Sequence, residues 1–380
     1  MKRISLIPRQ SRFRAAAHDE RVAAKVGVWL GIAFLVCFVT GMLSYAIQYP
    51  PSWFYWPSRP VNLYRVTQGL HVLAGIAAIP LLAAKLWSVF PKLFARPMVR
   101  SLPHAIERGS ILLLSGSVIF ELVTGLFNVA QNYPWRFFFP TAHRVVGWLA
   151  VGAILVHIAI KLPIVRRALS KEARAASKAT NDQPSQDRRR FLRTTWLATG
   201  VAVAATAGST VPLLRNISPL AWRSTEAPQG VPVNRTAKAA NVIGAATAED
   251  WRLVVQGSGR AHQFGLADLA ALPQRTAELP IACVEGWSQS ASWTGVSIPE
   301  LLHAVGAAPG SELRVISMEP RGRYARSTLP GSHTDDPLSL LALRVNGERL
   351  SLDHGYPCRI IAPNRPGVLQ TKWVQRLVVQ

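Results

Sequence analysis

Cysteine is nearly missing from this chain: 380 residues hold three, Cys37, Cys283 and Cys358. Cys37 falls in a long apolar run and Cys358 in a predicted strand, so no pairing is suggested and a disulfide scaffold is excluded. Acidic residues are scarce as well, 20 against 43 lysines and arginines, which leaves a formal charge of +23. An excess of that sign suits phosphate-rich partners when it covers a folded face. Here it gathers beside segments with no charge at all. Residues 26–58, 66–84, 109–120, 145–160 and 196–214 contain no Asp, Glu, Lys or Arg. A helix needs about 20 largely apolar residues to cross a bilayer. These stretches therefore predict five membrane spans, the third continuing past Glu121 and the fourth extended through Thr141. The first half reads as an all-α membrane bundle, with the lipid bilayer and not nucleic acid as its partner.

The basic residues also orient the bundle. Between Lys161 and Arg193 stand ten basic residues against three acidic ones, and Lys85, Lys92, Arg96, Arg100 and Arg108 crowd the loop between the second and third spans. By the positive-inside rule the N-terminus, that loop and the segment after the fourth span face the cytoplasm of a bacterial inner membrane, and the C-terminal domain lies outside it. A polar linker over 168–187 leads to Arg188-Arg189-Arg190-Phe191-Leu192-Arg193 and then to the Ala/Gly/Thr-rich run 196–214. Two arginines, one variable residue and Phe-Leu look like a twin-arginine signal. That implies the twin-arginine translocase as partner and a domain exported already folded; the alternative is an ordinary anchor with basic flanks. The predicted domains are 1–167, 168–215 and 230–380.

Histidines within the apolar runs point to a redox function, because polar side chains at membrane depth are costly and tend to be functional. His143 and His157 are 14 residues apart, nearly four turns, so they share one helix face about 21 Å apart. His71 begins the second span at the same depth as His143. Each of these two is followed four residues later by a glycine, Gly75 or Gly147, which predicts a clear face for a flat macrocycle. Two imidazoles on one iron make an electron-transfer haem b, with His71 and His143 as the outer pair. His157 pairs with His18, or else with His104. Glu121 is open between a proton relay to quinone and a bond to a neighbouring helix. The arrangement resembles the four-helix di-haem cytochromes b that serve hydrogenases and formate dehydrogenases, over roughly residues 10–170. The resemblance implies one or two haems and a quinone or quinol partner.

Past residue 230 the period changes. Short β-rich runs at 251–255, 313–318, 341–345, 358–362 and 373–379 alternate with helix-like pieces such as 297–305, which predicts an α+β domain. Cys283 closes an apolar strand-like run in Leu279-Pro-Ile-Ala-Cys-Val-Glu-Gly-Trp-Ser288, where a single thiolate suits a soft, redox-active metal. With Asn346-Gly-Glu-Arg-Leu-Ser-Leu-Asp-His-Gly-Tyr-Pro-Cys-Arg359 and Gly367-Val-Leu-Gln-Thr-Lys-Trp373 this stretch resembles the sulfite-oxidase fold of molybdopterin enzymes, and most of all its periplasmic methionine sulfoxide reductases. The resemblance implies molybdenum on Cys283 and a pterin held by His354, Arg359, Gln370, Thr371 and Lys372, with Asn234 and Ser317 as further contacts.

Residues 284–293 contain Glu285 and no arginine, although Arg321, Arg323 and Arg326 lie on a nearby loop. The absence disfavours a sulfur dianion, which arginine forks suit, and favours a neutral S-oxide or N-oxide. The expected function is a membrane-anchored molybdopterin oxidoreductase passing quinol electrons outward through haem to reduce such an oxide. Two alternatives stand beside it: a sulfite dehydrogenase working in the opposite direction, and a membrane sensor that uses the second domain for binding.

Overall fold

The first long helix has no polar face. In α1 (Glu20–Gln48) Val22, Val26, Leu30 and Ala33 are buried while Trp29, Ile32, Leu35 and Val39 are exposed, a pattern suited to surroundings that are apolar on both sides. The same holds for α2 (Leu63–Val89), α3 (Leu102–Val129) and α4 (Phe139–Ala168). The computed structural model describes residues 16–94, 101–170, 183–221, 227–257 and 259–380. Among these, four helical runs are long and apolar enough to cross a membrane: Glu20–Gln48, Leu63–Lys92, His104–Val129 and Phe139–Ala168. At 29 residues, α1 is roughly 44 Å long, more than a hydrocarbon core requires. Its charge-free stretch continues to residue 58, but the helix stops at Gln48 because Pro50 and Pro51 follow and proline cannot continue a helical ladder.

The fifth predicted span differs in place and character. The helix there, α5 (Gln183–Ala207), begins ahead of the arginines, carries them in its first half and ends seven residues before the apolar run does. It is not among the four helices apolar enough to cross. Residues 171–182 of the predicted linker lie outside the described residues.

Packing divides the chain into two units, and the division departs from the predicted boundaries: Met42–Gly69 groups with Thr206–Gln380, while the helices up to Gly41 and from Leu70 to Ala205 form the other unit. In that helical unit Val26 and Leu30 of α1 meet Ala78 and Leu81 of α2, with Leu122 of α3 and Phe191 and Leu192 of α5 packed around them. The Phe-Leu of the arginine motif is thus core material, and Arg188 pairs with Asp19 at 3.2 Å.

The second unit carries two sheets. Strands β1 (Leu253–Gln256), β2 (Ala261–Phe264), β5 (Leu313–Ser317), β6 (Arg326–Leu329) and β10 (Val374–Val379) form one, in the order β2-β1-β10-β5-β6 with β1 and β10 parallel. The other runs β3-β4-β7-β8, from β3 (Gln274–Ala282), β4 (Ser288–Ser297), β7 (Leu340–Val345) and β8 (Glu348–Arg349), and β9 (Arg359–Ile361) also pairs with β7. Short helices α6 (Leu266–Ala271) and α7 (Ile298–Ala304) flank the strands, and Leu253, Val296, Leu301, Val315, Ile360 and Leu377 share one buried cluster. The five strands and the one helix that the sequence predicts, here β1, β5, β7, β9, β10 and α7, fall within about two residues of their expected places, and the remaining strands are additions. This is the α+β domain expected past residue 230.

Asn364 ties residues 56–64 into this unit. Its N–H donates to Val61 O at 3.0 Å, its Nδ2 donates to Pro57 O at 2.7 Å, its carbonyl accepts from Trp56 Nε1 at 2.8 Å, and its Oδ1 accepts from the backbone N–H of Tyr64 at 2.6 Å. The last contact satisfies one of the orphan donors in the first turn of α2, so a residue 300 positions away acts as an N-cap. Arg59 adds a two-pronged contact to Asp336 at 3.0 and 3.1 Å. Asn364 is also held at φ +52°, a conformation that asparagine tolerates better than alanine. Asn364→Ala should therefore lower the stability of the purified chain by about 2–3 kcal/mol, read as a fall in its thermal unfolding midpoint.

Candidate active site

Strands β3 and β4 form the longest hairpin of the unit, and its turn presents Cys283. The Cys283 N–H donates to Trp287 O at 2.9 Å and the Gly286 N–H to Cys283 O at 3.0 Å. Gly286 closes the turn at φ +91°, where a side chain is strained. The Cys283 sulfur lies 3.6 Å from Asn234 Nδ2 and 3.7 Å from Glu285 Oε2, and the Trp287 indole donates to the same carboxylate oxygen at 3.1 Å. The thiol is 1% exposed, at the wall of a cavity of about 110 Å³.

That cavity gathers Asn234, Cys283, Ser317, His354, Arg359, Gln370, Thr371 and Lys372, although the sequence scatters them over nearly 140 positions. The turn at Gly355 explains how: at φ +105° it brings its own backbone so close to Lys372 and Arg359 that an added Cβ would stand 3.0–3.1 Å from theirs. Arg359 is buried, donating to His354 O and Gln370 O at 3.1 Å each, while its Nε has no partner. Lys372 Nζ donates to Asp353 O at 2.9 Å and to Arg235 O. Burial pushes the Lys372 amine down to about 7, with the Arg359 charge adding to the effect, and burial lowers Arg359 as well. A buried guanidinium with an idle N–H, beside an amine that an incoming anion would hold protonated, makes a cavity wall that favours an anion. His354 is pushed down to about 4 by burial. The neutral ring donates Nε2–H to Pro228 O at 2.7 Å and keeps a lone pair on Nδ1.

Three of the expected anchors are engaged elsewhere. The Gln370 amide pairs with both backbone groups of Ala362 at 2.7 and 2.9 Å, the Thr371 hydroxyl pairs with Ser327 at 2.7 Å, and Ser317 donates to Lys372 O at 2.8 Å. Their side chains shape the wall. The loop of Arg321, Arg323 and Arg326 turns all three arginines to solvent and brings Tyr324 to the cavity instead. Tyr324, Arg235 and its ion-pair partner Glu319 are lining residues that sequence reasoning missed. The single signal available was their closeness in sequence to Asn234, Ser317 and the arginine loop.

The helical unit holds the histidines. The His71 and His143 rings stand 6.3 Å apart, centroid to centroid. An imidazole nitrogen binds a transition metal at ~2 Å, so two rings across one ion have centroids roughly 6 Å apart. His71 Nδ1 lies 2.9 Å from Cys37 O, a carbonyl that fixes it as the donor, and His143 Nδ1 lies 3.0 Å from Glu121 Oε2. Such outer hydrogen bonds are typical of ligating histidines and leave Nε2 to a metal. Glu121 is therefore bonded to a neighbouring helix, at a histidine. Gly75 and Gly147 do not clear the space beside these rings: a Cβ on them would meet Cys37 Sγ and Glu121 Oε2 at 3.9 and 3.7 Å. Gly41 and Gly125 do, since a Cβ there would stand 3.1 Å from His71 Cε1 and 3.7 Å from His143 Cε1. His18 packs against Trp87 at 5.7 Å, and His157 is partly exposed.

The profile of the family described as "Oxidoreductase molybdopterin binding domain" matches residues 239–380. Mitochondrial sulfite oxidase of Drosophila melanogaster is 28% identical over 156 residues, 34% of this chain and 27% of that protein. A putative protein-methionine-sulfoxide reductase subunit YedZ1 of Azospira oryzae is 30% identical over 133 residues, 35% of this chain and 50% of that protein. An NADPH nitrate reductase of Neurospora crassa is 34% identical over 104 residues, 25% of this chain and 10% of that protein. The chain thus spans half or less of the length of these curated relatives. Residues 239–380 form a molybdopterin-binding oxidoreductase domain of the sulfite-oxidase type.

Proposed function

We propose that this protein is a membrane-anchored molybdopterin oxidoreductase that reduces an S-oxide or N-oxide with electrons drawn from quinol through haem b. The observation that carries this reading is the cavity itself: a thiol at one wall, and at another the buried Arg359, with an idle N–H, beside the partly buried Lys372 amine. Cys283 would hold the molybdenum, and Arg359, Lys372, His354 and Asn234 the pterin and its phosphate, while Ser317, Gln370 and Thr371 brace those residues. The bound cofactor supplies the two-electron oxygen-atom chemistry. The chain's own residues orient the oxide beside Cys283, with Asn234 and Glu285 flanking the sulfur and Tyr324 and Trp287 enclosing the space. His71 and His143 would hold the outer haem, and His157 an inner one with His18. Arg188–Arg193 would direct export by the twin-arginine route, placing the domain outside the cytoplasm.

The substrate preference rests on charge. Glu285 stands 3.7 Å from the sulfur and the loop arginines face solvent, so a dianion meets a like charge where neutral oxides do not. Similarity to sulfite oxidases keeps the opposite direction, a sulfite dehydrogenase, as the second reading. In one preparation, dye-linked reduction of methionine sulfoxide, dimethyl sulfoxide and trimethylamine N-oxide should exceed sulfite-dependent haem reduction by at least tenfold. Rapid haem reduction by sulfite with no turnover of any oxide would establish the second reading in its place.

A further inference from the structure

The second unit includes the last turns of α1 and the first turns of α2, and a chain of hydrogen bonds runs through them. Tyr324 Oη donates to Gln48 Oε1 at 3.3 Å, and Gln48 Nε2 donates to Ser44 Oγ at 3.3 Å and to Ser44 O at 3.1 Å. Ser44 Oγ and Tyr64 Oη lie 3.0 Å apart, Tyr64 Oη donates to Gln68 Oε1 at 3.5 Å, and Gln68 Nε2 donates to Val284 O at 3.3 Å. Because the Tyr64 hydrogen goes to Gln68, Ser44 must donate to Tyr64, and every bond points the same way. Aligned bonds of this kind polarise and strengthen one another. Ser44, Tyr64 and Gln68 are 8%, 1% and 7% exposed, so the chain is shielded from competing water.

Its two ends matter more than its middle. One end is Tyr324 at the cavity wall; the other is the carbonyl of the residue that follows Cys283. The Tyr324 phenol also bonds Tyr49, and burial together with that neighbour raises it above the usual range, so the hydroxyl stays a donor. A phenol held at its hydroxyl cannot swing as a whole about its Cα–Cβ bond, so the ring keeps its place in the wall of the cavity that Cys283 also lines. Two helix ends are thereby registered against Tyr324 on one side and the Cys283 turn on the other.

We propose that Gln48 is a positioning residue: by holding the Tyr324 hydroxyl it fixes the wall that decides, by size, which substrates reach Cys283. This rests on the reading of the cavity as the substrate site. The test uses the purified full chain and three variants, Gln48→Met, Gln48→Glu and Tyr324→Phe, plus the Met/Phe double. The first measurement is the ratio of kcat/KM for dimethyl sulfoxide to that for the bulkier methionine sulfoxide. Gln48→Met should change this ratio three- to tenfold, the range that one lost hydrogen bond spans. Gln48→Glu, which keeps the acceptor, should hold it within twofold of wild type, and the double variant should match Tyr324→Phe.

The second measurement needs no turnover. In full-length protein prepared without molybdenum, Cys283 alkylation by iodoacetamide is compared with that by N-ethylmaleimide, each read on the Cys283 peptide by mass. The same variants should alter that ratio in the same pattern. An unchanged ratio in Gln48→Met, or additive changes in the double, overturns the positioning role. A wild-type preparation that turns over no oxide and no sulfite speaks against the proposed function alone, and the alkylation ratio still decides the role of Gln48.

Discussion

Cys283→Ser is expected to abolish turnover of every oxide and of sulfite, with activity falling at least a thousandfold. The reason is coordination chemistry: a hydroxyl is a hard ligand with no useful fraction ionised near neutral pH, and it cannot replace a soft thiolate on a metal that must change oxidation state. The fold should survive. Serine is nearly isosteric, the turn is built from the backbone bonds Cys283 N–H to Trp287 O and Gly286 N–H to Cys283 O, and neither uses the sulfur. Thermal unfolding and haem absorbance should thus match wild type while molybdenum falls on metal analysis. Near-normal activity in Cys283→Ser would remove the metal from this residue, and with it the proposed site. A collapse of folding instead would be separated by Cys283→Ala, which leaves no polar side-chain atom at position 283 and should fold as wild type does.

Much of the cavity was legible in sequence because Cys283, His354, Arg359, Gln370, Thr371 and Lys372 stand in three short motifs that resemble the sulfite-oxidase fold: one thiol after an apolar strand, then His-Gly-Tyr-Pro-Cys-Arg, then Gln-Thr-Lys-Trp. Residue type did not reveal which polar atoms are idle. Gln370 and Arg359 looked equally suited to hold a ligand, yet the Gln370 amide is fully paired with Ala362 while Arg359 Nε has no partner. That distinction depends on where β9 places Ala362, a tertiary matter. The membrane helices show the same limit. Spacing put Gly75 and Gly147 on the faces of His71 and His143, as helical periodicity requires, but it could not say which neighbouring helix faces each ring. Gly41 and Gly125 hold that position.

The grouping of Met42–Gly69 with the C-terminal half was not legible at all. It depends on bonds such as Asn364 to Tyr64, which join positions 300 apart and leave no local pattern. An apolar run continuing to residue 58 signals only that a span is long enough. It does not show that the polypeptide leaves its helix at Gln48 and packs residues 56–64 against the strands.

His71→Ala and His143→Ala are each expected to remove the same haem completely, leaving any inner haem in place. Both rings have their Nδ1 committed, one to the Cys37 carbonyl and one to the Glu121 carboxylate, and so both have Nε2 available to a metal at a ring separation suited to one ion. Losing either imidazole would leave the proposed haem without one of the two side chains that would hold it. Glu121→Gln offers a contrasting case, since an amide oxygen still accepts from His143 Nδ1–H. The haem should be retained, but the histidine becomes a weaker electron donor without the carboxylate, which raises the midpoint potential. A spectroscopic redox titration of the three purified variants reads all of this at once. If His71→Ala and His143→Ala lose different haems, the two histidines do not share an iron and the outer site must be rebuilt from other residues. If Glu121→Gln loses the haem outright, the carboxylate acts through the packing of α3 against α4, and its electronic effect on His143 is not the one that matters.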